Sequence, residues 1–297
     1  MSAPLYATGL SRPTALPLPW WLRMLSRLPL RVLYACAAAA VWLMRRVVRH
    51  RGQTVRTNLE RSFPNLPRPA RRLIEDRYYA NLSQVLAEVL KMGGLSREEL
   101  RERVRFSNAQ VIQEVIASGR SALLVCAHHC NWEWQLLALS AQLQLPVQAA
   151  YKPLHGAVGE YIMRNLRSRF GAELVPAKEL LANLLKRRDA RAIAMVADQV
   201  PVTSSFNHWT RFLNQPTAFY MGPEKIAQAA RFAVIFAGMR RHARGHYEVV
   251  CEQLAAADER VTAGEITERY ARAVERQVLE SPADWMWLHR RWKLPAP

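Results

Sequence analysis

The sequence predicts an α/β protein with a mainly parallel, mixed central sheet flanked by helices and an N-terminal membrane-associated helix. Three observations lead there. Beyond Leu95, short β-rich apolar runs alternate with stretches of helical period, which implies parallel strands covered on both faces. The most apolar part of the chain lies near its start, between Leu28 and Val48. The chain has 297 residues, of which 50% are hydrophobic and 22% charged, enough to bury a large core.

The N-terminal stretch reads "LPLRVLYACAAAAVWLMRRVV", and its uninterrupted apolar part, Val32 to Met44, is 13 residues long. A comfortable bilayer span needs about 20. Arg12, Arg23, Arg27 and Arg31 precede it and six Arg follow between 45 and 61, while Trp20 and Trp21 lie before it and Trp42 near its end. This favours a helix lying in or dipping into the cytoplasmic leaflet, with a single span as the alternative. The small residues of "ACAAAA" suit a signal peptide, but the basic residues after them and the distance from Met1 argue against cleavage. Residues 1–50 are thus expected to form an anchor or interfacial helix, and 51–297 the main domain.

The elements of that domain follow in order. "RHRGQTVRTNLERSFPNLP" predicts a short basic helix ended by prolines, then a longer helix from about Pro69 to Met92, stopped by Gly93-Gly94. Strands are expected at 121–127, 146–151, 191–197, 232–239 and 246–251. Helices are expected at 132–144, 156–170, 217–230 and from about Ala263 to Leu279. In such sheets functional loops collect at the carboxyl ends of the strands.

Lys and Arg outnumber Asp and Glu by 42 to 24, a formal net charge of +18, which implies an anionic partner. Residues 1–63 contain ten Arg, no Lys and a single acid, Glu60. Basic charge beside apolar surface favours a membrane over nucleic acid. The Arg excess also suits bidentate binding of phosphate or carboxylate, although a GC-rich genome produces the same bias. Cys36, Cys126, Cys130 and Cys251 form no paired framework, which points to reduced thiols and a cytoplasmic setting.

"CAHHCNWEWQLLAL" carries the densest polar chemistry. A strand ending near Ala127 leaves His128 at its carboxyl end, Asn131 can cap the next helix, and Glu133 sits in that helix's first turn. Within one helix, positions five apart could not meet, but across a strand-to-helix loop Glu133 can approach the His128 ring and raise its basicity. The plainer reading is a backbone-bonded histidine beside a carboxylate that favours the helix N-terminus. Metal is not expected, because His128, His129 and Cys130 are adjacent and would need a distant fourth ligand. "YKPLHGAVGEYIMRNLRSRFG" places Lys152 after a strand and Arg164 and Arg167 on one helix face. These can hold phosphate or an acidic carrier, or form a solvated basic face. "AIAMVADQVP" puts Asp198 and Gln199 at another strand end, as site residues or as a cap. "SPADWMWLHRRWK" can stack bases, sit at a membrane interface or brace the edge of the domain.

The ordered set "TNLERSFPNL", "HHCNWE", "YKP…MRNLRSRFG", "ADQ", "FLNQPTAFYMGPEKIA" and "WMWLHRRWK" resembles the bacterial lipid A biosynthesis (late, secondary) acyltransferases of the lysophospholipid acyltransferase superfamily. The resemblance covers nearly the whole chain. It implies a glycerolphosphate-acyltransferase-like fold for residues 51–297. It also implies transfer of a fatty acyl chain from an acyl carrier protein thioester to a hydroxyl on a lipid A precursor. The family's dyad falls on His128 and Glu133, a functional arginine on Arg167, and an aspartate before glutamine on Asp198. Arg164 and Lys152 complete the expected substrate-binding set, with no metal and no cofactor. Expected partners are the acyl carrier protein, an anionic lipid acceptor and the bacterial inner membrane, with the catalytic domain on its cytoplasmic face and no nucleic acid bound. Alternative acceptors are a lysophospholipid, an ornithine-type lipid or a glycosylated lipid. A different class of reading is a non-enzymatic basic protein binding membrane or nucleic acid. A hydrolase should show a serine in a G-x-S-x-G setting, and the sequence has none.

Overall fold

The computed structural model describes residues 18–48, 51–186, 189–201 and 206–295. Residues 1–17 and 49–50 of the expected anchor segment, Arg12 among them, lie outside that description.

Helices α1 (Trp20–Arg27) and α2 (Leu30–Leu43) meet at an angle of 112°, because Pro29 begins α2 and cannot continue α1. Among the described residues no single helix is long and apolar enough to cross a membrane. A short basic helix, α3 (Gly52–Ser62), leads into the longest, α4 (Arg68–Lys91), with Pro69 in its first turn. Leu30, Leu33, Tyr34, Ala37 and Val41 recur at helical spacing on α2 and are buried, and α2 packs on α4. Trp42 and Leu43 remain exposed at 61% and 52%. Helix α1 lies against Gly93-Gly94, where a Cβ on Gly94 would strike the backbone carbonyl oxygen of Ser26.

The remaining elements are α5 (Arg97–Arg103), β1 (Val104–Phe106), α6 (Gln110–Ala117), β2 (Ala122–Cys126), α7 (Trp132–Gln142), β3 (Val147–Tyr151), α8 (Ala157–Arg167) and β4 (Glu173–Pro176). They continue with α9 (Leu180–Leu185), β5 (Ala192–Val196), β6 (Asn207–Phe212), β7 (Gln215–Tyr220), α10 (Gly222–Ala230), β8 (Ala233–Ala243), β9 (His246–Ala255) and α11 (Glu265–Glu280). Seven strands form one sheet in the order β1-β9-β8-β2-β5-β3-β4. Its neighbours pair in parallel except β8 and β9, an antiparallel hairpin. This is the mixed, mostly parallel α/β sheet that the alternating pattern predicts. β2 is buried at all five positions, as a central parallel strand covered on both faces must be. Leu124 packs into one apolar layer, with Trp134 and Ile235, while Leu123 and Val125 face the other, with Ile193 and Tyr270.

The elements α5, β1, α6, β4, α9 and β6 were not expected, and one expected element has a different form. Residues 217–230 were expected as a single helix, but 217–220 belong to β7, antiparallel to β6, and α10 starts at Gly222. Thr217, Ala218 and Phe219 are buried, so packing of β-formers outweighs the helical spacing. The hairpin turns on Leu213 and Asn214, both at positive φ (48° and 63°), the conformation a two-residue turn between twisted strands requires.

Candidate active site

The two central strands end in register: Cys126 of β2 pairs with Val196 of β5. Two residues further along each chain stand His128 and Asp198, so parallel pairing delivers them side by side across 70 residues of sequence. Asp198 accepts from the His128 ring Nδ1 at 2.6 Å and from its backbone amide at 3.0 Å. The indole of Trp285 donates a third hydrogen bond at 2.7 Å. Asp198 is 3% exposed. Burial alone would push its carboxyl up, but the His128 charge and these three donors outweigh it and hold the pKa at about 2. A carboxylate can only accept, so Nδ1 carries the proton and Nε2 presents its lone pair. The side-chain amide of Gln199, 3.2 Å from Nε2, donates to it.

The loop after His128 reverses quickly. Cys130 takes a left-handed conformation (φ 53°), and Asn131 caps α7 by accepting the Trp134 amide at 2.9 Å. That cap sets Glu133 in the first turn, where its carboxylate accepts from Arg167 Nε and Nη2 at 2.8 and 2.6 Å and from the Trp132 indole at 3.1 Å. The sequence placed Glu133 against the His128 ring; the structure places Asp198 there and turns Glu133 to the guanidinium at the end of α8. Trp132 packs edge-on against the imidazole, with ring centroids 4.9 Å apart.

A cavity of about 420 Å³ opens over this floor, within the roughly 300–1,000 Å³ range of small-molecule sites. His128, Glu133, Lys152 and Arg167 line it together with apolar side chains that include Leu124, Leu136, Leu139 and Met195. Arg164, one turn before Arg167 on α8, is exposed and does not line it. His129 is 1% exposed, with Nε2 3.1 Å from the Ser281 carbonyl oxygen, and burial pushes its pKa down. It belongs to the interior, not to the cavity. Among the described residues no three His, Cys, Asp or Glu side chains converge as metal ligands.

Of the readings open for "WMWLHRRWK", bracing describes its position. The Met286 amide donates to the His128 carbonyl at 3.0 Å, and the Cys130 amide to the Asp284 carbonyl at 2.9 Å. Asn58 of α3 donates to the Trp287 and His289 carbonyls. Trp285 as the third donor to Asp198 was missed by sequence reasoning; the aromatic run is visible there, but its partner is not.

The arrangement can deprotonate a hydroxyl. His128 and Gln199 both line the cavity, so a hydroxyl that displaces the Gln199 amide from Nε2 would meet a ring whose tautomer Asp198 fixes.

Comparison with known proteins finds one family and two relatives of related description. The family model described as bacterial lipid A biosynthesis acyltransferase matches residues 19–294. A lipid A biosynthesis lauroyltransferase of Escherichia coli is 23% identical over 98% of this chain and 95% of its own length. A lipid A biosynthesis acyltransferase of Haemophilus influenzae is 22% identical over 45% of this chain, which spans 42% of that relative's length.

Proposed function

Because the chain belongs to the bacterial lipid A biosynthesis acyltransferase family and is an acyltransferase, we propose that it moves a fatty acyl chain from an acyl carrier protein thioester to a hydroxyl of a lipid A precursor, forming an acyloxyacyl group. The observation that carries this reading is the His128 ring. Its Nδ1 is fixed on a buried, ionised Asp198, and it lies in the wall of a largely apolar cavity.

His128 Nε2 takes the proton of the acceptor hydroxyl as that oxygen attacks the thioester carbonyl. The tetrahedral intermediate collapses by breaking the carbon–sulfur bond, and the imidazolium returns the proton to the departing thiolate. Atoms and charge balance with no covalent enzyme intermediate. The Trp132 and Glu133 amides at the start of α7 have no intrahelical acceptor and supply donors for the oxyanion. Glu133 holds Arg167 at the cavity wall, where its positive potential favours the same charge. Apolar walls receive the acyl chain, while Lys152 and the outlying Arg164 favour the phosphates of the acceptor or the acidic carrier.

We place the protein at the cytoplasmic face of the inner membrane, bound through α1 and α2. Trp20 (76% exposed) and Trp42 with Leu43 at the far end of α2 offer apolar and aromatic surface beside the arginines of the same segment.

Mass spectrometry of lipids from a deletion strain tests the acceptor. Lipid A lacking one acyl chain supports the reading. Unchanged lipid A defeats it, and a chain missing from another lipid transfers the activity to that acceptor.

A further inference from the structure

Glu88, near the end of α4, is fully buried. Its carboxylate accepts from the Tyr34 hydroxyl of α2 at 2.8 Å, from Asn131 Nδ2 at 2.7 Å and from the Tyr247 hydroxyl of β9 at 2.7 Å. Its backbone carbonyl accepts the Trp134 indole at 2.9 Å. Four donors thus converge on one residue from three elements, and two of them belong to the start of α7. Burial pushes the carboxyl up and the three side-chain donors work against that. Arg241 and Arg103 are cations beside this cluster; Arg241 bonds the Tyr247 hydroxyl at 2.9 Å and Asp284 at 2.7 Å.

Asn131 has no freedom left. Its oxygen holds the Trp134 amide and its nitrogen holds Glu88. Whatever fixes Glu88 therefore fixes the cap, and the cap fixes the turn that carries Trp132 and Glu133. Tyr34 comes from the helix that otherwise reads as an anchor.

We propose that Glu88 is a positioning residue, and that α2, through the Tyr34–Glu88–Asn131 chain, sets how the first turn of α7 presents Glu133 and its free amides to the cavity. The catalytic consequence rests on the function proposed above. In this arrangement the N-terminal helix is a working part of the active site as well as a means of attachment.

The test uses the full chain in detergent micelles, with a lipid A precursor and an acyl carrier protein thioester as substrates. Tyr34→Phe removes one hydroxyl. Glu88→Leu strips all three side-chain donors of their acceptor. Glu88→Gln can keep Asn131 and Tyr247 on its oxygen and donate from its nitrogen to Tyr34, so it serves as the rescue. In Tyr34→Phe, amide exchange at Trp134 and Gln135 should quicken about fivefold or more while β5 amides are unchanged. Its kcat should fall about three- to tenfold, with KM for the lipid within about twofold. Glu88→Leu should lose more than about tenfold in kcat, and Glu88→Gln should stay within about threefold of wild type.

Unchanged exchange at the start of α7 in Tyr34→Phe overturns the strut. Quickened exchange with normal kcat overturns its role in catalysis, as does a Glu88→Gln protein as slow as Glu88→Leu. Should Glu88→Leu fail to fold, Tyr34→Phe and Glu88→Gln decide alone. A wild-type protein that transfers no acyl chain defeats the function proposed above, whereas the exchange measurement still judges the strut.

Discussion

Asp198 grips His128 twice, accepting its ring Nδ1–H at 2.6 Å and its backbone amide at 3.0 Å. The ring is therefore held at both its edge and its root, and the carboxylate that orients it is not the one nearest in sequence. Asp198→Asn presents an amide whose nitrogen cannot accept from Nδ1. We expect kcat to fall by about a hundredfold or more with the protein still folded, since the tautomer is no longer enforced. Steady-state kinetics of Asp198→Asn beside His128→Ala check this, and a variant within threefold of wild type would sink the assignment.

Glu133 and Arg167 should behave as one unit, because Arg167 Nε and Nη2 each donate to a different oxygen of the carboxylate. Glu133→Gln and Arg167→Met are each expected to lower kcat at least about tenfold, and the double variant should be no worse than the poorer single. A double-mutant cycle on kcat/KM should return a coupling on the order of 2 kcal/mol. Simple additivity would mean that the two side chains act separately.

His129→Ala tests the neighbour of the base. Its ring is buried against the Ser281 carbonyl, so the loss should be one of stability, about 1–3 kcal/mol in urea unfolding. The kcat of the folded fraction should stay within about threefold of wild type. Abolished turnover in a folded His129→Ala protein would exchange the roles of the two histidines.

Acid sensitivity has two sources near the site, the buried rings of His129 and His289. Burial pushes the His289 pKa down to about 4, with Arg291, His128 and Lys293 adding to the effect and Asp198 opposing it. In the unfolded chain the same ring titrates near 6.5. Between those values the unfolded state binds a proton that the folded state refuses, so stability falls as pH drops through that window and is insensitive to this ring above it. Asp198, held at about 2 against an ordinary 3.8, contributes stability that is present above the ordinary value and lost as pH falls towards 2. His289→Asn should therefore lessen the decline in urea midpoint between pH 7 and pH 4.5, with buried His129, also pushed down, accounting for part of what remains, and should leave the loss below pH 4. An unaltered decline would move its source to other groups.

Much of the fold was legible because its strands are short apolar runs bounded by polar turns. "ALLVC" and "AIAMV" are continuous, as central parallel strands are, and both end where site residues begin. The β6–β7 hairpin was not legible: Leu213-Asn214 lacks the Asn-Gly signature, and Pro223 with the following helical spacing drew the preceding residues into a helix. Glu88 left a faint signal, falling three residues after buried Val85 and ten after buried Tyr78, within the stripe of α4 that faces inward. A carboxylate there demands donors, but their identities are scattered over α2, α7 and β9.

Local spacing offered His128 as a candidate base, with His129 beside it as a rival, and placed it at a strand's carboxyl end before the cap at Asn131, with a basic helix carrying Arg167 further on. Those are properties of a few consecutive residues and of the periods their backbones adopt. Which carboxylate serves His128 was decided elsewhere. It depends on the register of two strands whose partners lie 70 residues apart, on Arg167 claiming Glu133, and on Trp285 returning from the far end of the chain. Sheet pairing and charge pairing act at a distance along the sequence, so only the folded chain could choose between Glu133 and Asp198.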